Sequence, residues 1–175
     1  MISKELGWEA CARWVRARQD EGRRVVFTNG CFDLLHAGHV HLLEEAARLG
    51  DCLVVGVNSD ESVRRLKGPQ RPIMPLADRR LLLNALTMVD VLVVFPSDTM
   101  PPAGLGSNLV DTPYALLQKL RPDILVKGGD YTPEEVVGRE FAGEVRIVSL
   151  LEGHSSSDLL QRLDAALSGN SSVLK

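Results

Sequence analysis

Thr28-Asn29-Gly30-Cys31-Phe32-Asp33-Leu34-Leu35-His36-Ala37-Gly38-His39-Val40 is the stretch from which the rest of the chain is read. It follows an apolar run, residues 25–27, that predicts a short buried strand. It leads into residues 40–49, whose apolar positions recur with helical periodicity. The segment is therefore a strand-to-helix junction, where backbone N–H groups and the positive end of a helix dipole are open to an anion. With a helix starting near Ala37, His36 and His39 both face the mouth of the strand, and the bare Gly38 lets a large ligand approach the backbone. Two imidazoles so placed flank a phosphate and donate hydrogen bonds as charge builds in a phosphoryl or nucleotidyl transition state. The plainer reading, surface or helix-capping histidines, suits a lone histidine better than a pair bracketing a glycine at such a turn. His41 falls about 200° around the helix from His39, so the three imidazoles do not converge and no protein-bound metal is expected.

The chain has 175 residues, enough for one α/β domain and too few for two sizeable ones. A net charge of −3 gives no global case for binding nucleic acid, although a local basic cluster can serve a nucleotide. Cys11, Cys31 and Cys52 are odd in number and irregularly spaced, which argues against a disulfide framework or zinc knuckle and for a reducing compartment. No apolar run approaches the ~20 residues of a membrane span, and Lys4, Glu5 and Glu9 stand where a signal peptide needs an apolar stretch. A cytoplasmic protein without membrane or nucleic-acid partners is expected.

Outward from the motif, residues 3–19 are amphipathic and predict a leading helix. Its arginines read as a solvated face. The expected division is an N-terminal helix over 1–22, a main domain over 23–168 and a flexible tail over 169–175. Residues 52–57 form a near-continuous apolar run, as in a central parallel strand, so the first βαβ unit places a ligand at the carboxyl ends of its strands. Ser59 or Asp60 caps a short basic helix ending at Lys67, which a Gly-Pro loop leaves free to swing over a triphosphate. Residues 76–88 predict a helix with Leu81, Leu82, Ala85 and Leu86 on its apolar side. Arg79 in its first turn opposes the helix dipole, and a bound phosphate would supply the reason. A strand at 89–95, a Pro-, Gly- and Ser-rich surface loop at 96–110, and a helix capped by Thr112 with Pro113 at its first position follow. The strand at 124–126 ends in Lys127-Gly128-Gly129-Asp130. That sequence is either a plain turn or a bare surface for a base or ribose, with Asp130 accepting from a hydroxyl. After a strand at 144–150, Ser155, Ser156 and Ser157 open the last helix, either as caps or as a second anion site. Strands alternating with helices give an α/β fold, a Rossmann-like five-stranded parallel sheet with helices on both faces.

Thr28, Gly30, Phe32, Asp33, His36, Gly38 and His39 resemble the signature of the cytidylyltransferase-like nucleotidyltransferases, and Leu66-Lys67-Gly68, Arg71-Pro72, Asp78-Arg79 and the run from Pro122 to Tyr131 narrow the resemblance. They are similar to the adenylyltransferase domain of bacterial ADP-heptose synthases, which implies transfer of AMP from ATP to D-glycero-β-D-manno-heptose 1-phosphate for the lipopolysaccharide inner core. The resemblance implies catalytic roles for His36, His39, Lys67 and Arg79. It implies nucleotide contacts from Cys31, Phe32, Asp33, Gly38, Gly128, Gly129, Asp130, Ser155 and Ser156. Mg²⁺ would arrive on the ATP phosphates, a homodimer is implied, and the domain is expected to stand alone, with the sugar kinase to which it is often fused expected as a separate protein.

The loop at 100–110 has no counterpart in that pattern, and Leu150-Leu151 stands where some relatives using CTP place a polar pair. Two alternatives stay open. One is cytidyl transfer to glycerol 3-phosphate, phosphoethanolamine or another small phosphorylated alcohol. The other is a nucleotide-binding regulatory protein with an idle site.

Overall fold

In the computed structural model the described residues are 4–96, 109–151 and 153–169. The loop expected at 96–110 and the tail at 169–175 lie almost wholly outside them. The elements run α1 Trp8–Asp20, β1 Val25–Gly30, α2 Ala37–Ala47, β2 Cys52–Asn58, α3 Asp60–Lys67, α4 Leu76–Ala85, β3 Val91–Phe95, α5 Tyr114–Leu120, β4 Ile124–Gly128, β5 Glu144–Val148 and α6 Ser156–Gly169, with two short 3-10 turns between β4 and β5. Among the described residues no helix is long and apolar enough to cross a membrane.

The strands form one parallel sheet in the order β3-β2-β1-β4-β5, the architecture expected from the sequence. All seven residues of β2 are buried, because helices cover both faces of a central parallel strand. Strand alternation sends Val25, Phe27, Val54, Val93 and Leu125 to one face, under α1 and α5. Val26, Leu53, Val55, Leu92 and Val126 go to the other, under α2 and α4. Leu43 of α2 is wholly buried in that second layer, and cutting it to alanine would cost about 2–5 kcal/mol. Helix α1 contributes Cys11, Ala12 and Val15 to the first layer, and its Trp8 indole donates to the Val94 carbonyl at 2.8 Å.

The chain leaves β1 in one direction toward β2 and β3 and then returns to the other side of β1 to form β4. The sheet therefore opens a crevice between the carboxyl ends of β1 and β4, the topological switch point.

Two local expectations are corrected. The inner side of α4 is the 76, 79, 83, 86 stripe: Leu83 and Arg79 are buried, whereas Leu81 and Leu82 are 62% and 39% exposed and Ala85 is also exposed. Helix α5 starts one residue later than expected, with Pro113 in the cap position and the Thr112 hydroxyl accepting from the Tyr114 amide at 3.4 Å.

Candidate active site

A cleft of about 730 Å³ lies over the switch point, walled by the β1–α2 segment, the end of α3, the approach to α5, the stretch after β4 and the start of α6. The β1–α2 segment is tightly held. Phe32 and Leu34 both adopt left-handed backbone (φ 50° and 51°), a conformation that costs free energy unless the surroundings fix it. Burial of Phe32 and the bonds made by Asp33 do so here. The Asp33 carboxylate accepts from the amides of Ile73 and Met74, each at 2.9 Å, and lies 2.7 Å from Arg71 Nε. Any nucleotide contact made by Asp33 therefore comes from atoms other than its engaged carboxylate. Its carboxylate is committed to the 71–75 loop, although the residue reaches the cleft wall.

His36 occupies the N-cap of α2, but its side chain caps nothing. Its ring stacks on His39 with centroids 3.8 Å apart, and the Phe32 ring lies tilted against His39 at 5.3 Å. Nδ1 of each histidine is buried without a hydrogen-bond partner. A proton there would be a stranded donor, so the neutral tautomer carries its proton on Nε2, and Nε2–H is the donor each ring offers a ligand. Burial, and then the neighbouring His36, pushes His39 down to about 4, and burial also lowers His36. The pair is neutral at physiological pH.

The start of α6 is docked on this pair. Ser155 makes a capping box with Asp158: its hydroxyl accepts from the Asp158 amide at 3.1 Å, and its own amide donates to the Asp158 carboxylate at 3.0 Å. The Ser156 hydroxyl donates to the Asp33 carbonyl at 2.8 Å. Capping thus accounts for Ser155, yet Ser155, Ser156 and Ser157 all line the cleft. Gly38 lines it too, and a Cβ there would fall under 3 Å from the His154 carbonyl oxygen. The missing side chain admits the α6 approach, whereas the sequence suggested room for a ligand. The N-termini of two helices converge on the histidines as a result, an arrangement suited to oxyanions.

Lys67, the last residue of α3, stands exposed on the cleft rim, and Cys31 lines the floor, its thiol pushed up by burial. Arg79 does not face the cleft. Its side chain is wholly buried, with Nη1 donating to the carbonyls of Cys31 (2.6 Å) and Asn58 (2.8 Å), Nε donating to Met74 (3.1 Å) and Nη2 paired with Asp60 (2.7 Å). The triphosphate contact expected of it is corrected: four partners already take its donors, and it ties the ends of β1 and β2 to α4. Gly128, Gly129 and Asp130 are also off the cleft wall. Leu42 and Leu150 fill the space beside Gly128, the Tyr131 ring covers Gly129, and Asp130 is exposed.

Arg71 and Lys127 are among the cleft residues to which the sequence assigned no role. Arg71 is held by Asp33, and Lys127 donates to Asn29 Oδ1 at 2.6 Å. The available signal for Lys127 was a single charge at the carboxyl end of an otherwise apolar strand. No group of three or more His, Cys, Asp or Glu among the described residues is arranged to hold a metal ion.

A family model described as cytidylyltransferase-like matches residues 27–162. A bifunctional protein HldE of Syntrophotalea carbinolica is 50% identical over 146 residues, covering 81% of this chain and 27% of the relative. Another, from Wolinella succinogenes, is 48% identical over 166 residues, covering 95% of this chain and 31% of the relative. The chain thus spans under a third of the length of these relatives. Among solved structures, a lipopolysaccharide core biosynthesis protein from Thermoplasma volcanium is 27% identical with a TM-score of 0.52, covering 74% of this chain and 98% of that one. A pantoate-beta-alanine ligase from Francisella tularensis, at 14% identity and TM-score 0.56 over 85% of this chain and 67% of that one, shares the fold.

Proposed function

The chain belongs to the cytidylyltransferase-like family, and from that premise we propose that it transfers AMP from Mg·ATP to D-glycero-β-D-manno-heptose 1-phosphate, giving ADP-heptose and pyrophosphate. The observation that carries the chemistry is the stacked His36–His39 pair, neutral and with Nδ1 buried, at the point where the α2 and α6 N-termini meet. The resemblance to ADP-heptose synthases supplies the substrates.

A phosphate oxygen of the sugar 1-phosphate attacks the α-phosphorus of ATP. The bond from that phosphorus to the α,β-bridging oxygen breaks, and its electron pair leaves with pyrophosphate. The acceptor is already an anion, so no base has to remove a proton, and no covalent enzyme intermediate forms. The protein's work is alignment and charge stabilisation. The Nε2–H groups of His36 and His39 donate to oxygens on the transferring phosphoryl group as their charge grows. Lys67 closes over the triphosphate from the rim, and the α6 N-terminus faces its outer phosphates. Arg79 acts at one remove, fixing the Cys31 and Asn58 carbonyls and so the two strand ends beneath the ligands. The cleft carboxylates Asp33 and Asp111 are paired with Arg71 and Arg65, and magnesium accompanies the nucleotide as part of the substrate.

The test is pyrophosphate release with Mg²⁺, crossing ATP and CTP against heptose 1-phosphate, glycerol 3-phosphate and phosphoethanolamine. Release with ATP and the heptose is the expected result. Release only with CTP and a small phosphorylated alcohol would replace the substrates, and silence in every combination despite nucleotide binding would favour the regulatory alternative.

A further inference from the structure

The histidines sit at the start of α2, on the face of the sheet that α2 covers. The β1–β4 register pairs Phe27 with Leu125 and Thr28 with Val126. Phe27 and Leu125 both point into the layer under α1 and α5. Alternation by two then puts Asn29 and Lys127 on that same side, opposite the face that α2 covers. They are the last polar pair on the two strands flanking the switch point, and Lys127 Nζ donates to Asn29 Oδ1 at 2.6 Å. Both line the cleft, in company with Asp111, Thr112 and Glu135, so they belong to the half that the histidines leave unserved.

The charge balance there is one-sided. Asp111 is engaged with Arg65 through both carboxylate oxygens, and Glu135 accepts from the Thr132 amide and hydroxyl. Asp33, across the cleft, is taken by Arg71 and two amides. Of the cations in the cleft, Lys67 is on the rim and Arg71 is neutralised. Lys127 is half-buried, and the partner seen for it is a neutral amide. An ammonium has three donors, and one is used. Placing a cation in a cleft floor without a carboxylate is costly, and burial lowers Lys127 to about 8. A phosphate bound beside it would remove that cost.

We propose that Lys127, aimed by Asn29, binds the phosphate of the acceptor, so that the cleft is divided between a histidine half for the nucleoside triphosphate and a Lys127 half for the sugar 1-phosphate. This rests on the nucleotidyl-transfer reading and deepens it. The division brings the attacking oxygen in from the α5 side while pyrophosphate leaves toward the α2 and α6 N-termini, the geometry an in-line displacement requires.

The test uses the whole chain with Lys127→Met and Lys127→Arg. Pyrophosphate release is measured with heptose 1-phosphate varied at saturating ATP and the reverse. Calorimetry measures binding of a non-hydrolysable ATP analogue and then, with that analogue saturating the histidine half, of inorganic phosphate. Losing a charged hydrogen bond predicts an acceptor KM about 10–100-fold higher in Lys127→Met, loss of phosphate binding, and analogue affinity within about twofold of wild type. In the wild-type protein kcat/KM for the acceptor falls above about pH 8, where Lys127 loses its charge, and in Lys127→Arg that limb moves beyond pH ~9. Analogue affinity falling in step with acceptor KM, an unchanged acceptor KM in Lys127→Met, or an unmoved limb in Lys127→Arg would overturn the assignment. If the wild-type protein transfers to no sugar phosphate, the functional reading fails by itself. The calorimetry then decides Lys127: phosphate binding lost in Lys127→Met supports it, and equal binding refutes it. If Lys127→Met does not fold, the alkaline limb of Lys127→Arg decides.

Discussion

Replacing Gly38 with alanine should damage catalysis far more than stability. Gly38 has no positive φ, so the constraint is space rather than backbone conformation. An added Cβ would stand under 3 Å from the His154 carbonyl oxygen and 3.1 Å from Cε1 and Nδ1 of His36, against an ordinary contact of 3.4 Å or more. The carbonyl cannot retreat cheaply, because His154 bonds to Leu151 through its amide and Ser156 bonds to the Asp33 carbonyl. One helix start must therefore move by roughly 0.5–1 Å, at an overpacking cost of about 1–3 kcal/mol. Alanine in a first helical turn returns up to about 1 kcal/mol relative to glycine, leaving a net loss of about 0–2 kcal/mol. The same displacement separates the two helix N-termini and pushes the His36 ring, and a misplacement near 1 Å can cost about 10² in rate. Urea unfolding and pyrophosphate release, measured on one preparation, compare the two effects. A Gly38→Ala protein with wild-type kcat/KM would refute the claim that the α6 approach and the histidine pair act as one packed unit.

Arg79→Met should destabilise the fold by about 3–5 kcal/mol, because it leaves the Asp60 carboxylate and three carbonyls without the guanidinium they share, and a loss below ~1 kcal/mol in urea would show that the hub is dispensable. For His39 the folded value near 4 lies below the ordinary 6.5, so the unfolded chain binds more protons between them. Its contribution to stability is full above about pH 6.5 and is lost as pH falls toward 4. The His39 ring resonances should stay those of neutral imidazole down to pH ~5, and the stability lost between pH 7 and 5 should shrink in His39→Gln; a titration midpoint at 6 or above would contradict the buried, neutral pair.

The fold was legible where the signal was local. Each strand of a parallel sheet covered on both faces is a short apolar run, so residues 25–27, 52–57, 89–95 and 124–126 identified themselves. The histidine pair was legible for the same reason, since the strand end, the glycine and the helix start are adjacent in sequence. What failed was whatever depended on distant partners. Arg79 faces inward because Cys31, Asn58 and Asp60 wait for it there, 48 to 19 residues away, whereas a helix-dipole argument knows only its own turn. Leu81 and Leu82 then go outward, against their hydrophobicity. Gly38 was recognisable as a position intolerant of a side chain, but the intruder is a carbonyl 116 residues further on. Asp33 carried the family pattern without revealing that loop amides at Ile73 and Met74 already hold it. Lys127 looked like the edge of a glycine turn, and only its bond to Asn29, with the alternation along β4, turns it toward the α5 side of the cleft.

The central claim is that His36 and His39 stabilise the transferring phosphoryl group without being needed to bind ATP. Single-turnover transfer from α-labelled ATP to heptose 1-phosphate, measured for the wild-type protein and His39→Ala beside equilibrium binding of an ATP analogue, tests it most directly. Transfer should slow by about 10²–10³ in the variant, the cost of one preorganised donor, while the analogue binds within a few-fold of wild type. Near-normal transfer by His39→Ala would contradict the account, as would a loss of rate fully explained by lost nucleotide binding.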